Sequence, residues 1–110
     1  MQAKNEARAE ARIRVLKTKL SALGPMRPGL LSVQYRDPAH KRGAYRQISY
    51  TFRKKSHSDY VRPEDLPRIR RELKAYERFK ALCEELVAES LALSKMRSSA
   101  ARNKPRRPSA

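Results

Sequence analysis

One cysteine, two histidines and eleven carboxylates are all that this 110-residue chain offers to metal binding or acid–base chemistry. A lone Cys83 excludes an internal disulfide and fits a reducing compartment. Structural zinc takes four ligands at short paired spacings, and His40, His57 and Cys83 form no such pair. No apolar run approaches the roughly eighteen residues of a membrane span, and charges interrupt the N-terminal stretch where a signal peptide would be apolar. The expectation is therefore a cytoplasmic protein with no membrane partner, no metal and no cofactor. Catalysis is equally short of parts. Cys83 and His57 can be written as a dyad, but Cys83 falls on a packing stripe without an activating neighbour. Glu84, Glu85 and Glu89 read as a solvated helix flank. A metal-dependent nuclease needs carboxylates converging from several elements. Off the long helix only Glu6, Glu10, Asp37 and Asp59 are at hand, with Glu64 and Asp65 just before it. No set of nucleophile, base and oxyanion donors can be assembled, so the chain reads as a non-enzyme with no catalytic residues.

What the chain has in excess is positive charge. Twenty-seven Lys and Arg give a formal net charge of +16. The surplus is concentrated. Residues 36–57 hold seven bases and one acid, residues 95–110 six bases and no acid, and residues 1–23 six bases and two acids. Residues 58–94, by contrast, hold seven bases and eight acids. Such a field favours polyanions, nucleic acid before an anionic membrane.

The organising stretch is Leu66 to Met96. Its apolar positions Ile69, Leu73, Tyr76, Phe79, Cys83, Leu86, Ser90 and Leu93 step by three and four, a helical seam. Asp65 is placed to cap its start, and Pro67 is tolerated in the first turn. Ala3 to Leu23 predicts a second helix, with Ile13, Leu16, Leu20 and Leu23 on one stripe. Before Ile13 the apolar side holds only alanine, so those turns are expected to fray. Gly24-Pro25 stops the helix, Gly24 as a left-handed cap. Between the helices, Leu31–Arg36 and Tyr45–Arg53 alternate as strands, and His57–Arg62 returns as a third. Ile48, Tyr50 and Phe52 form the apolar face of the second strand. Tyr45, Gln47, Ser49, Thr51 and Arg53 form its open face, where one tyrosine is a weak base-stacking signal. The reading is α+β: an N-terminal helix over residues 1–24, a core of β-meander and long helix over 25–96, and a disordered basic tail over 97–110. The helices pair antiparallel. The far end of the long one is a candidate coiled-coil surface for a second copy of the chain.

Several short runs occur in order: Met26-Arg27-Pro28-Gly29, Leu31-Ser32, Gln34-Tyr35, Gln47-Ile48-Ser49-Tyr50-Thr51 and Tyr60-Val61-Arg62-Pro63-Glu64-Asp65-Leu66-Pro67. From Leu23 to Met96 the chain resembles a family of small uncharacterised prokaryotic proteins, often encoded with transposases or other mobile elements. Many members carry a cysteine cluster like a zinc knuckle after the first strand. Residues 37–44 hold no cysteine here, so that metal role does not carry over. The resemblance implies work on mobile-element DNA, by analogy alone.

Candidate nucleic-acid contacts follow from the basic clusters. Arg53, Lys54 and Lys55 sit at a hairpin tip, where long side chains reach phosphates without disturbing a core. Lys41, Arg42 and Arg46 belong to the opposite end of the middle strand, about 30 Å away at roughly 3.3 Å per residue. Arg68, Arg70 and Arg71 crowd the start of the long helix, where an anion is favoured. Arg102, Lys104, Arg106 and Arg107 lie in the tail. The function expected is nucleic-acid binding, duplex DNA rather than RNA, through phosphate contacts, as an accessory to a transposase-like partner. The alternative is a helical interaction subunit for an acidic protein.

Overall fold

The computed structural model describes residues 2–103. In chain order it has helix α1 (Gln2–Ser21), strands β1 (Leu30–Asp37), β2 (Arg42–Phe52) and β3 (Lys55–Val61), a 3-10 turn at Pro63–Asp65, and helix α2 (Leu66–Asn103). This is the α+β arrangement that alternation and periodicity predict. Two compact units result. One is Gly24–Arg78; the other joins the segment up to Leu23 with the chain from Phe79 onward. Helix α2 therefore contributes to both.

In the first unit the three strands form an antiparallel meander in the order β1-β2-β3. Ile48 pairs with Leu31 on one side and Asp59 on the other. Side chains alternate across a pleated sheet, so Leu31, Val33, Arg46, Ile48, Tyr50, Phe52, His57, Asp59 and Val61 share one face. Ile48, Val61 and Ile69 are buried together, with Leu31, Leu66 and Leu73 packed around them. The first turns of α2 thus cover this face at Ile48. Each aliphatic side chain so buried stabilises the fold by about 1.5–3 kcal/mol. Phe52, expected in the core, is 55% exposed. It lies at the β2–β3 tip, beyond the cluster that α2 covers. Tyr50 is half-buried; its ring stacks on His57 at 4.9 Å and carries the Arg27 guanidinium at 5.1 Å.

The linker before β1 is tied down at both ends of Arg27. Its backbone N–H donates to the Glu72 carbonyl at 3.2 Å, and its guanidinium reaches Asp59 at 3.3 Å. Gly29 follows at φ 144°, where a Cβ would stand 2.6 Å from Cγ1 of Ile48. Only glycine fits against a side chain that is itself wholly enclosed.

The entry to α2 is a 3-10 turn, in which the Asp65 N–H donates to the Arg62 carbonyl at 3.0 Å and the Leu66 N–H to that of Pro63. The Asp65 carboxylate expected as a cap accepts from Arg62 Nε at 3.0 Å and lies 3.7 Å from Arg68. First by that hydrogen bond and then by its charge, it holds the Arg62 guanidinium above its ordinary pKa.

In the helical unit, Arg12 meets Glu89 at 3.0 Å and Glu10 meets Arg97 at 2.9 Å, so α1 runs antiparallel to the later part of α2. These pairs are partly solvated and each contributes about 0–1 kcal/mol. The core is Ala9, Leu16, Leu82 and Leu93, all buried. Four sequence expectations are corrected here. Ala9 is fully enclosed, so the first turns of α1 are packed. The stripe of α2 passes through Leu82, Leu86, Glu89 and Leu93, while Ser90 is exposed. Gly24 is not left-handed. The last turn of α1 tightens instead, with Leu23 N–H on the Leu20 carbonyl at 3.2 Å. A residue before proline is held in extended backbone, which excludes the glycine cap. Finally, Arg97–Asn103 is helical where tail was expected. Ala100 and Ala101 favour helix, and Pro105 is the first residue able to stop it. Lys104, Arg106 and Arg107, and the side chain of Arg102, lie outside the described residues.

Gly29→Ala should lower the melting temperature sharply, by the equivalent of about 2 kcal/mol or more, through overpacking at Ile48 and an unfavourable φ. Gly24→Ala, whose Cβ would meet nothing within 4 Å, is the control and should melt near wild type. Equal melting curves for the two variants in circular dichroism would show that Ile48 yields.

Candidate nucleic-acid interface

The β2–β3 connection is as short as a hairpin allows. Phe52 pairs with Lys55, leaving Arg53 and Lys54 as a two-residue loop. Both have positive φ, 52° and 67°. That is the type I′ geometry, whose twist suits a hairpin and whose usual residues are Asn-Gly. Arginine and lysine are poor choices for it, since a Cβ in the left-handed region costs about 1 kcal/mol or more per residue. The turn therefore carries two long cations at the expense of its own stability. The Arg53 guanidinium lies 5.1 Å over the exposed Phe52 ring, which gives the tip a partly fixed direction.

The β1–β2 tip is built differently. Asp37 pairs with Arg42 across a four-residue loop, Pro38–Lys41. The Asp37 carboxylate accepts from the His40 backbone N–H at 3.4 Å and lies 2.9 Å from its Nδ1. Lys41 is left-handed at φ 51°, and Gly43 at φ 67° lies under Arg36. Lys41 and Arg42 project here. Over the eleven residues of β2, at about 3.3 Å each, the two tips stand roughly 35 Å apart.

Five carboxylates of the sheet unit have partners close at hand. Asp59 is on Arg27; Glu64 and Asp65 are on Arg62; Asp65 and Glu72 are on Arg68; Asp37 is on His40. Arg68 is a phosphate candidate by sequence, yet Glu72 holds it at 3.0 Å and Asp65 lies 3.7 Å away. It drops behind Arg70 and Arg71, both exposed. Among the described residues, no ion pair uses Lys41, Arg42, Arg46, Arg53, Lys54, Lys55, Arg70 or Arg71. The sheet divides these further. Arg42, Arg46 and Lys55 have the parity of Ile48 and share the face that α2 partly covers.

The other face is open. Leu30, Ser32, Gln34 and Arg36 from β1, Tyr45, Gln47, Ser49 and Thr51 from β2, and Ser56, Ser58 and Tyr60 from β3 share it. Tyr60 is 60% exposed, and its ring centroid lies 6.2 Å from that of half-buried Tyr45. Sequence reasoning missed Tyr60. Its neighbours Ser58, Asp59 and Val61 show no clean alternation, and only pairing with Gln47 fixes which way it faces.

No group of three or more His, Cys, Asp or Glu able to hold a metal ion occurs among the described residues. Cys83 is half-buried on α2. No described helix is long and apolar enough to cross a membrane.

Replacing Arg53-Lys54 by Asn-Gly should raise the hairpin's stability by about 1 kcal/mol, because the turn keeps its geometry and loses its strain. A thermal melt several degrees above wild type is expected for a fold of this size. A lower melt would mean that Arg53 on Phe52 outweighs the backbone.

Against protein-family models, curated proteins and solved structures the chain finds no match, and the resemblance to mobile-element proteins acquires no further support from them.

Proposed function

We propose that this protein binds nucleic acid through phosphate contacts made by the two tips of its sheet. DNA is the expected partner, duplex the form expected from charge alone, and an accessory role beside a cytoplasmic mobile-element enzyme the expected setting. One observation carries the reading. Asp59, Glu64, Asp65 and Glu72 are held by Arg27, Arg62 and Arg68 and Asp37 is bonded to His40, while the cations at both tips enter no ion pair among the described residues and stay available to an outside partner. Phosphate oxygens suit such groups, since Lys and Arg on extended turns position a backbone without reading sequence. The exposed Arg70 and Arg71 add to the same field.

If about six phosphates are neutralised, log affinity should fall with log salt at a slope near −5. The Asn-Gly replacement at the tip should weaken binding and flatten that slope by about one to two while the fold becomes more stable. Opposite signs in melting and in fluorescence anisotropy separate contact loss from unfolding. Unchanged affinity and slope would remove the tip from the interface. No binding to any nucleic acid at low salt would end the proposal.

A second reading has its own observation. Val87 and Leu91, one turn apart on α2, are 65% and 53% exposed. Paired apolar residues on an exposed helix suit a protein partner, a second copy or an acidic helix. For the second copy, wild type should sediment as a dimer at micromolar concentration and Val87→Glu with Leu91→Glu as a monomer. A monomeric wild type would leave the acidic helix as that partner.

A further inference from the structure

The open face of the sheet has a composition that neither a core nor a plain solvated surface calls for. Five of its side chains are aliphatic hydroxyls or amides from β1 and β2, Ser32, Gln34, Gln47, Ser49 and Thr51, and two more are the serines Ser56 and Ser58 from β3. Both aspartates of the sheet, Asp37 and Asp59, have the parity of Ile48 and so lie on the opposite face. No carboxylate from the strands therefore faces a ligand on this side. Toward the β1–β2 end of the face stand Tyr45 and, on the edge strand, Tyr60, tilted by 53° to one another and not closed into a core. At its two ends are cations without an ion pair, Lys41 in the loop at one end and Arg53 and Lys54 in the loop at the other, while Arg42, paired with Asp37 in the strand register, shares the face of Ile48. Arg36 is the one charge on the face itself.

We propose that this face takes an unpaired strand of nucleic acid, its bases stacked on Tyr45 and Tyr60 and its phosphates reaching the basic tips. The inference rests on the nucleic-acid reading above and names the form of the partner. A duplex turns its phosphates outward and its bases inward, so it meets the tips but gains nothing from the tyrosines. A single strand presents both. Base–aromatic stacking is tolerant of sequence, because every base has a π-face. Hydroxyls and amides both donate and accept, which suits base edges of any identity. The absence of acid along the path removes the repulsion that would otherwise oppose a backbone lying across it. Charge complementarity and stacking thus select the same partner on the same face.

The test uses the full-length protein and three labelled probes: oligo-dT of about sixteen nucleotides, the upper end of common single-strand site sizes, an abasic oligomer with as many phosphates, and a duplex of equal length. Oligo-dT should bind about tenfold or more tighter than the abasic oligomer, and tighter than the duplex. Tyr45→Leu and Tyr60→Leu should each lose about tenfold on oligo-dT and nothing on the abasic probe. Tyr45→Phe and Tyr60→Phe, which keep the ring, should bind like wild type. An oligo-U that binds as well as oligo-dT also supports an unpaired strand. Equal affinity of wild type for oligo-dT and the abasic oligomer overturns the platform, and leaves phosphate binding by the tips intact. A duplex bound tighter than oligo-dT likewise overturns it. Failure of every probe defeats the nucleic-acid reading itself, a different result from losing the platform. Should a leucine variant unfold, the comparison of probes on wild type still decides.

Discussion

Ile48 is the side chain on which the sheet unit depends. It is wholly enclosed, it meets Val61 and Ile69, and Gly29 passes so close that no side chain fits there. A three-stranded sheet is barely stable alone and must bury one face against something. The first turns of α2 do this at Ile48, which fixes the register of the meander, because a slip by one residue would exchange the two faces. The composition of the open face follows from that choice. Once Ile48 points to α2, Tyr45 and Gln47 must point away, and pairing brings Tyr60 beside them.

Electrostatics in the same unit obeys a related division. Ion pairs at partly solvated positions contribute little to stability. Their consequence here lies in what they remove from the field. Arg27, Arg62 and Arg68 are each matched by a carboxylate within reach. Of the cations left over, Lys41, Arg53 and Lys54 sit where the backbone turns. A cluster of bases in a sequence cannot reveal this, since Arg68 looks like Arg70 and Arg71 until Glu72 is seen on the same side of the helix, one turn later. The local spacing was available, but the competing partner Asp65 becomes relevant only once the 3-10 turn carries it up to Arg68.

Alternation made β2 legible, and helical steps made both helices legible, because a half-buried element must repeat its apolar positions at its own period. What failed was phase and edge. In α2, Leu82 and Cys83 are both apolar, and choosing Cys83 shifts the later stripe onto Ser90 in place of Glu89. The glutamate is half-buried because Arg12 meets it, which no pattern of hydrophobicity can anticipate. In α1, alanine was read as too small to hold a helix down, whereas a small side chain is what lets Ala9 be enclosed. Of the candidate interface, the two tips were visible as basic clusters at turns. The tyrosine pair was only half visible, since it is formed by two strands and depends on their register.

The β2–β3 tip gives up backbone stability. A two-residue hairpin loop with positive φ at both positions is a demanding site, and glycine or asparagine would satisfy it at little cost. Arg53 and Lys54 do not, and no carboxylate is there to compensate them. Backbone strain of this kind clusters at functional positions, which is a motive for the proposed phosphate contact here. Nothing in the fold uses them: the cluster around Ile48 is closed without them, and Arg53 touches only Phe52, itself exposed. Their reach is outward. A pair of cations held at unfavourable backbone angles, on the shortest loop available, is fixed in position relative to the strands that carry Tyr45 and Tyr60. A longer or glycine-rich loop would deliver the same charge but not a defined distance to the tyrosines. The same short loop that strains the backbone would therefore set the spacing between the proposed phosphate contact and the proposed stacking surface.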